Sequence, residues 1–164
     1  MRIPHPIPPL YDNTSAILIL SSFPSVRSRE AGFFYGHPQN RFWRVTAAVT
    51  GAEVPQSIPE KREFLLSHHI ALWDVIASCE ITGSSDSSIR NVIPNDLSPI
   101  LSAAPIRCVY VNGQTAAKYY EKYQRPVTGI PAVCLPSTSP ANAAWSFERL
   151  CSVWQEITVP LGLK

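Results

Sequence analysis

Residues 107–123 read RCVYVNGQTAAKYYEKY, and this stretch decides the fold. Arg107 to Asn112 is a short apolar run closed by Asn112-Gly113, the signature of a strand leaving into a turn. From Gln114 onward, Ala116, Tyr119, Tyr120 and Tyr123 recur at helical spacing, so a helix over 114–123 follows the strand directly. A strand feeding a helix is half of a βαβ unit, and the same rhythm extends in both directions. Ala16 to Leu20, Ile70 to Ile76 and Ala132 to Leu135 read as further strands. Phe42, Val45, Thr46 and Val49 share one helical face, with Gly51 placed to stop the helix. Another helix begins near Pro59, which suits a first-turn position, and Phe147, Leu150, Cys151 and Trp154 mark the last. Strands that read as near-continuous apolar runs are covered on both faces. The expected architecture is therefore a three-layer α/β/α sandwich around a central four-stranded parallel sheet.

Composition sets the bounds. The chain of 164 residues is expected to form a single domain, 1–164. Hydrophobic residues make up 45% and charged ones only 16%, which excludes disorder and coiled coils. Sixteen prolines predict stiff, extended loops. A net charge of +2 is too small for nonspecific adsorption to nucleic acid to dominate. Its distribution is uneven: Arg2, Arg27, Arg29, Arg41 and Arg44 face only Asp12 and Glu30 in the first fifty residues, which reads either as one basic end or as merely solvated charge. None of the four cysteines forms a C-x-x-C pair, which argues against a zinc site, and Cys108 and Cys134 in apolar runs are expected to be buried thiols. The prolines of MRIPHPIPPL break any apolar leader, so a soluble, cytoplasmic, monomeric protein without membrane contact is expected.

In open parallel sheets, ligands bind outside the carboxyl ends of the strands. The loops there begin at Ser21, near Asp74, at Asn112 and at Pro136. AGFFYGHPQNRFW, residues 31–43, places three aromatics, a His-Pro pair and Asn40 before a helix. Asn40 suits a helix cap, or an amide that holds a water through its carbonyl while its NH₂ is tied down. Asn112 suits a turn, or a donor and acceptor pair for a planar ligand edge. Asp74 is most simply a strand-end cap. LPSTSPANAA, residues 135–144, is stiff and hydroxyl-rich; Ser139 or Asn142 could cap the final helix, and such loops can approach a phosphate backbone closely. His68-His69 suits a helix end better than a metal, His37 could be structural or contact a phosphate, and Gly83 to Ser88 reads as an exposed loop.

SSFPS (21–25), GFFYGHPQNRFW (32–43), ALWDVIASCE (71–80), SSIRNVIPND (87–96), Asn112-Gly113 and LPSTSPANAAWS (135–146) together resemble the uracil-DNA glycosylase superfamily. The likeness spans roughly residues 16 to 157 and is strongest to its deoxyinosine (hypoxanthine) DNA glycosylase branch, with the HPQNRFW segment also similar to the mismatch-specific branch. Two departures stand out. Phe23 occupies the place of the water-activating asparagine of mismatch-specific relatives, and Leu135 that of the histidine leading the fourth-strand motif of uracil-specialised ones. The resemblance implies a base pocket at the strand ends, no metal and no cofactor, with Asn40 and Asn112 as catalytic residues.

On that footing the expected function is a monofunctional DNA glycosylase of base excision repair. It would hydrolyse the N-glycosidic bond of hypoxanthine, and of uracil or xanthine as further candidates, in DNA containing a deaminated base. Phe23 or Tyr35 would stack on the base, Tyr35 being favoured because it aligns with the stacking aromatic of mismatch-specific relatives. Asn112 would bond the base edge. Ser137, Thr138, Ser139, Pro140 and Asn142 would meet DNA, with Arg41, Arg44 or Arg27 on phosphates. The rival readings are a noncatalytic binder of damaged DNA or nucleotides on the same fold, and an enzyme of RNA or free nucleosides.

Overall fold

A computed structural model describes residues 2–163. The central sheet is parallel and four-stranded, in the order β3-β2-β6-β7. Its strands are β2 (Ile17–Ser21), β3 (Ile70–Asp74), β6 (Cys108–Asn112) and β7 (Ala132–Leu135). Alternation along β2 divides the core. Ile17 and Ile19 point into a layer with Phe42, Val45, Phe64, Leu65, Leu150 and Trp154, which belong to α2 (Phe42–Thr50), α3 (Ile58–Ser67) and α7 (Phe147–Trp154). Leu18 and Leu20 point the other way, toward Ile100 of α4 (Ser98–Ala103) and Ala116 of α5 (Gln114–Tyr119). The three-layer sandwich is as expected.

The second layer contains a feature the hydrophobic pattern hides. β1 (Arg2–Pro4), β4 (Ile76–Glu80) and β5 (Arg90–Pro94) form a separate antiparallel sheet, in the order β1-β4-β5. The single strand expected over 70–76 is thus two: β3 ends at Asp74 and β4 starts at Ile76, in a different sheet. A half-buried serine in β4 and exposed arginine and asparagine in β5 dilute the apolar signal that marks a buried strand.

Three further expectations change. The loop expected to begin at Ser21 holds a short helix, α1 (Val26–Ala31), capped by Ser25 and closed by Gly32 in the left-handed region. The helix expected over 114–123 runs only to Tyr119. A π turn over Tyr120–Gln124 follows, then α6 (Arg125–Thr128). Pro126 has no N–H to give a continuing helix, and the wider turn lets the buried Gln124 donate to the carbonyls of Val75 (2.8 Å) and Asn95 (3.2 Å). Cys134 is exposed and Cys108 half-buried, not the buried thiols expected. β7 lies at the sheet edge, where Val133 is exposed as well. No helix among the described residues is long and apolar enough to cross a membrane.

Candidate active site

Strand register brings three polar side chains to one level at the carboxyl edge of the sheet. Ser21 pairs with Asp74 across β2 and β3, Leu20 pairs with Val111 so that Asn112 comes level with Ser21, and Asn112 pairs with Leu135. Gly113 then turns away at φ +98°, a conformation glycine adopts freely, and a Cβ there would lie 3.1 Å from the Ser137 Cβ. Glycine therefore lets the loops after β6 and β7 touch.

Asn112 is buried and its amide orientation is fixed by its partners. Oδ1 accepts from the Thr138 N–H at 3.1 Å, while Nδ2 donates to Thr138 Oγ1 at 3.0 Å and more weakly to the Tyr35 hydroxyl at 3.3 Å. A backbone N–H can only donate, so the reverse orientation would set two donors against each other. One lone pair on Oδ1 and the long Tyr35 bond are the capacity left for a ligand.

The segment 33–43 is held by stacking. Phe33 lies parallel to Trp43 with centroids 6.1 Å apart, Tyr35 stacks on Phe42 at 3.9 Å, and Trp43 Nε1 donates to the Tyr35 carbonyl at 3.2 Å. Tyr35 adopts φ +51°, uncommon for a residue with a side chain, so the surrounding contacts impose its place. Its hydroxyl bonds Ser21 Oγ at 2.5 Å. Burial pushes the phenol pKa well up from its ordinary value, and the nearby Asp74 charge pushes it further, so the site presents a neutral phenol.

Asn40 lies two residues before the start of α2, one before the cap position Arg41, and its Oδ1 accepts from the Phe42 N–H at 2.9 Å. The cap-like bond engages the carbonyl, while the NH₂ makes no hydrogen bond among the described residues, the reverse of the arrangement expected for a water held by the carbonyl. A second lone pair on Oδ1 stays available. His37 Nδ1 accepts from the Gln39 N–H at 3.0 Å, which puts the proton of a neutral ring on Nε2.

Arg41 does something other than reach for phosphate. Its guanidinium donates to the carbonyls of Trp145, Ser139 (3.2 Å) and Asn142 (3.0 Å), clamping the loop that follows β7. Trp154, fully buried, holds the same loop through Nε1 to the Pro136 carbonyl at 2.9 Å. Asn142 is likewise internal, with Nδ2 on the Ser137 carbonyl at 2.9 Å. Neither Ser139 nor Asn142 caps α7; Ser146 does, accepting from Arg149 N. Arg27 and Arg44 are exposed.

Asp74 and His5 form a pair that sequence reading missed. Asp74 is 2% exposed, and its Oδ2 accepts from His5 Nε2 at 2.8 Å. His5 Nδ1 accepts from the Ile7 N–H at 3.2 Å, which leaves the ring proton on Nε2. The fifth residue of the chain thus reaches a group 69 positions away. The one available hint was a histidine among prolines.

These groups enclose a cavity of about 510 Å³. Phe23, Tyr35, Asn40, Asn112, Ser137, Thr138, Ser139 and Pro140 line it, so eight of the expected site residues are brought together. Arg41 and Asn142 are not among the lining. Asp74, His37, Ser21, Ser22 and the 84–87 loop are added to it. Asn142 instead borders an adjoining groove with Gln114, Thr115 and Trp145. Among the described residues no group of three or more His, Cys, Asp or Glu side chains could hold a metal ion.

An open parallel sheet whose carboxyl edge carries a concave pocket defines a class: α/β proteins that bind their ligands at the strand ends. The chain belongs to the uracil DNA glycosylase superfamily, whose family model matches residues 8–158. It is 36% identical to a hypoxanthine DNA glycosylase of Methanosarcina acetivorans, over 92% of this chain and 94% of the relative. It is 34% identical to a hypoxanthine DNA glycosylase of Methanosarcina barkeri, over 91% and 94%. A solution NMR structure of a candidate uracil DNA glycosylase from Methanosarcina acetivorans superposes with a TM-score of 0.83, at 32% identity and covering 99% of both chains.

Proposed function

We propose that this chain is a monofunctional DNA glycosylase that releases hypoxanthine, with uracil and xanthine as secondary substrates, from DNA in base excision repair. The observation that carries the reading is that Asn40 and Asn112, from segments 72 residues apart, line one cavity beside Tyr35 and Phe23. The relatives named for hypoxanthine release support the choice of base.

The nucleotide must leave the helix first, at a cost of a few kcal/mol that is smallest at a mispair. In the cavity the base stacks on the face of Tyr35 not taken by Phe42. The bond from C1′ to the base nitrogen breaks, its electron pair departs with the base, and the sugar becomes cationic. Asn112 exchanges its long bond to Tyr35 for one to the base, donating to charge that grows there. Asn40 orients a water at C1′; oxygen bonds to the carbon and the released proton neutralises the base anion. A cationic sugar does not require a strong base, so an amide suffices. The clamped 136–146 loop presses the DNA backbone through hydroxyl and main-chain donors.

The test uses duplexes carrying one deoxyinosine or deoxyuridine. The wild-type protein should free hypoxanthine and leave an abasic site that breaks only after alkali. Asn40→Ala and Asn112→Ala should each slow release about a hundredfold or more. Breaks before alkali would contradict the monofunctional assignment, and no release by the wild type would favour a noncatalytic binder.

A further inference from the structure

Asp74 is a buried carboxylate whose protein partners are incomplete. Oδ2 is taken by His5, while Oδ1 receives no hydrogen bond among the described residues and is not sealed away, since Asp74 lines the cavity. A buried charge with one partner is expensive unless something else uses it. The carboxylate is also immobile. His5 is packed edge-on against Phe23 (5.9 Å) and Trp73 (6.2 Å), and the Asp74 carbonyl accepts from Asn95 Nδ2 at 2.8 Å. Asp74 stands level with Ser21 at the strand ends, on the far side of Ser21 from Asn112. The cavity floor therefore offers a fixed acceptor at one side and a carboxamide at the other.

Deamination changes a base where such an acceptor would notice. Adenine and cytosine carry an unprotonated ring nitrogen beside the amino group. In hypoxanthine and uracil the amino group has become a carbonyl, and that ring nitrogen carries hydrogen. We infer that Asp74 Oδ1 accepts the ring N–H of the deaminated base and repels the lone pair that adenine or cytosine would present, making Asp74 the residue that separates damaged from normal bases. This rests on the glycosylase reading and names how its substrate is chosen. Guanine shares the ring N–H; its exclusion falls to the cost of extruding a fully paired base.

The geometry makes Asp74→Asn an unusual variant. Ile7 N–H keeps His5 Nδ1 an acceptor, so Nε2–H must still find an oxygen, and the new amide turns its carbonyl to His5 and its NH₂ to the cavity. A donor replaces the acceptor. The test measures equilibrium binding of duplexes with cleavage-resistant 2′-fluoro nucleosides of hypoxanthine, or of unsubstituted purine, whose ring nitrogen at that place is a bare acceptor. Wild type should bind the hypoxanthine duplex roughly tenfold to a hundredfold more tightly, and Asp74→Asn should invert the order. A general loss of folding would weaken both duplexes alike and could not invert them. Equal binding of both by the wild type, which needs no variant, overturns the inference, as does an unchanged ratio in a folded Asp74→Asn or no binding of either duplex. Unmodified deoxyinosine tested in parallel separates the two claims: inverted preference without hypoxanthine release overturns the glycosylase reading alone, whereas release without discrimination overturns only the role of Asp74.

Discussion

Replacing Arg41 with alanine tests whether this arginine belongs to the protein or to the DNA. Its guanidinium donates to three carbonyls of one loop, those of Trp145, Ser139 and Asn142. A hydrogen bond involving a charged group contributes ~1.5–3 kcal/mol, but carbonyls near the surface recover water when the donor is lost. The net loss should be about 2–4 kcal/mol, or roughly 5–15 °C in Tm for a chain of this size. Arg41→Lys should regain less than half of that, because an ammonium cannot span three acceptors as the planar fork does. Calorimetry reads the stability, and limited proteolysis should find the 136–146 loop newly cut in both variants. The contrary result is specific. If Arg41 neutralised a phosphate, Arg41→Ala would keep its Tm and lower the slope of log K against log salt by about 0.9. A stable variant with that changed slope would refute the clamp.

Gly113→Ala should lower stability by about 1–3 kcal/mol and slow base release, since the added Cβ meets Ser137 at a left-handed position; thermal melts and release kinetics read both effects. Thr138→Val removes the acceptor of an Asn112 N–H in a fully buried place, and a Tm drop worth ~1–3 kcal/mol should come with loss of activity out of proportion to it. Tyr35 gives a pH signature. Its folded pKa lies above the unfolded value of 10, so the stability it contributes is complete below pH 10 and declines as pH rises beyond. Tyr35→Phe should flatten the alkaline arm of a stability-versus-pH curve, but only in part, because Tyr110 and Tyr120 are also shifted up by burial and will still contribute.

The parallel sheet was legible because β2, β3 and β6 are buried almost throughout, and runs such as ILIL leave no competing reading. Asn112 was legible by position, since a polar residue closing such a run must find a partner, and Asn40 because it precedes a helix where a cap is wanted. What escaped was long-range or weakly patterned. β4 and β5 mix apolar residues with serine, arginine and asparagine, and β4 pairs on its other side with a three-residue strand too short to carry periodicity. Arg41 looked like a phosphate ligand because charge in sequence does not reveal which carbonyls fold back to meet it. Asp74 looked like a cap because its partner lies in the first few residues, at a separation no local rule spans.

That partnership makes the amino end of the chain part of the pocket's architecture. Two stretches that a protein engineer would trim as ragged, Arg2–Pro4 and the prolines after it, carry the strand that pairs with β4 and the imidazole that steadies Asp74. A purification handle fused there would pull on the recognition floor through a lever only a few residues long. The same handle at the other end would come after the last helical turn, whose Pro160 carbonyl accepts from Arg107, just ahead of β6 and at the opposite end of that strand from Asn112.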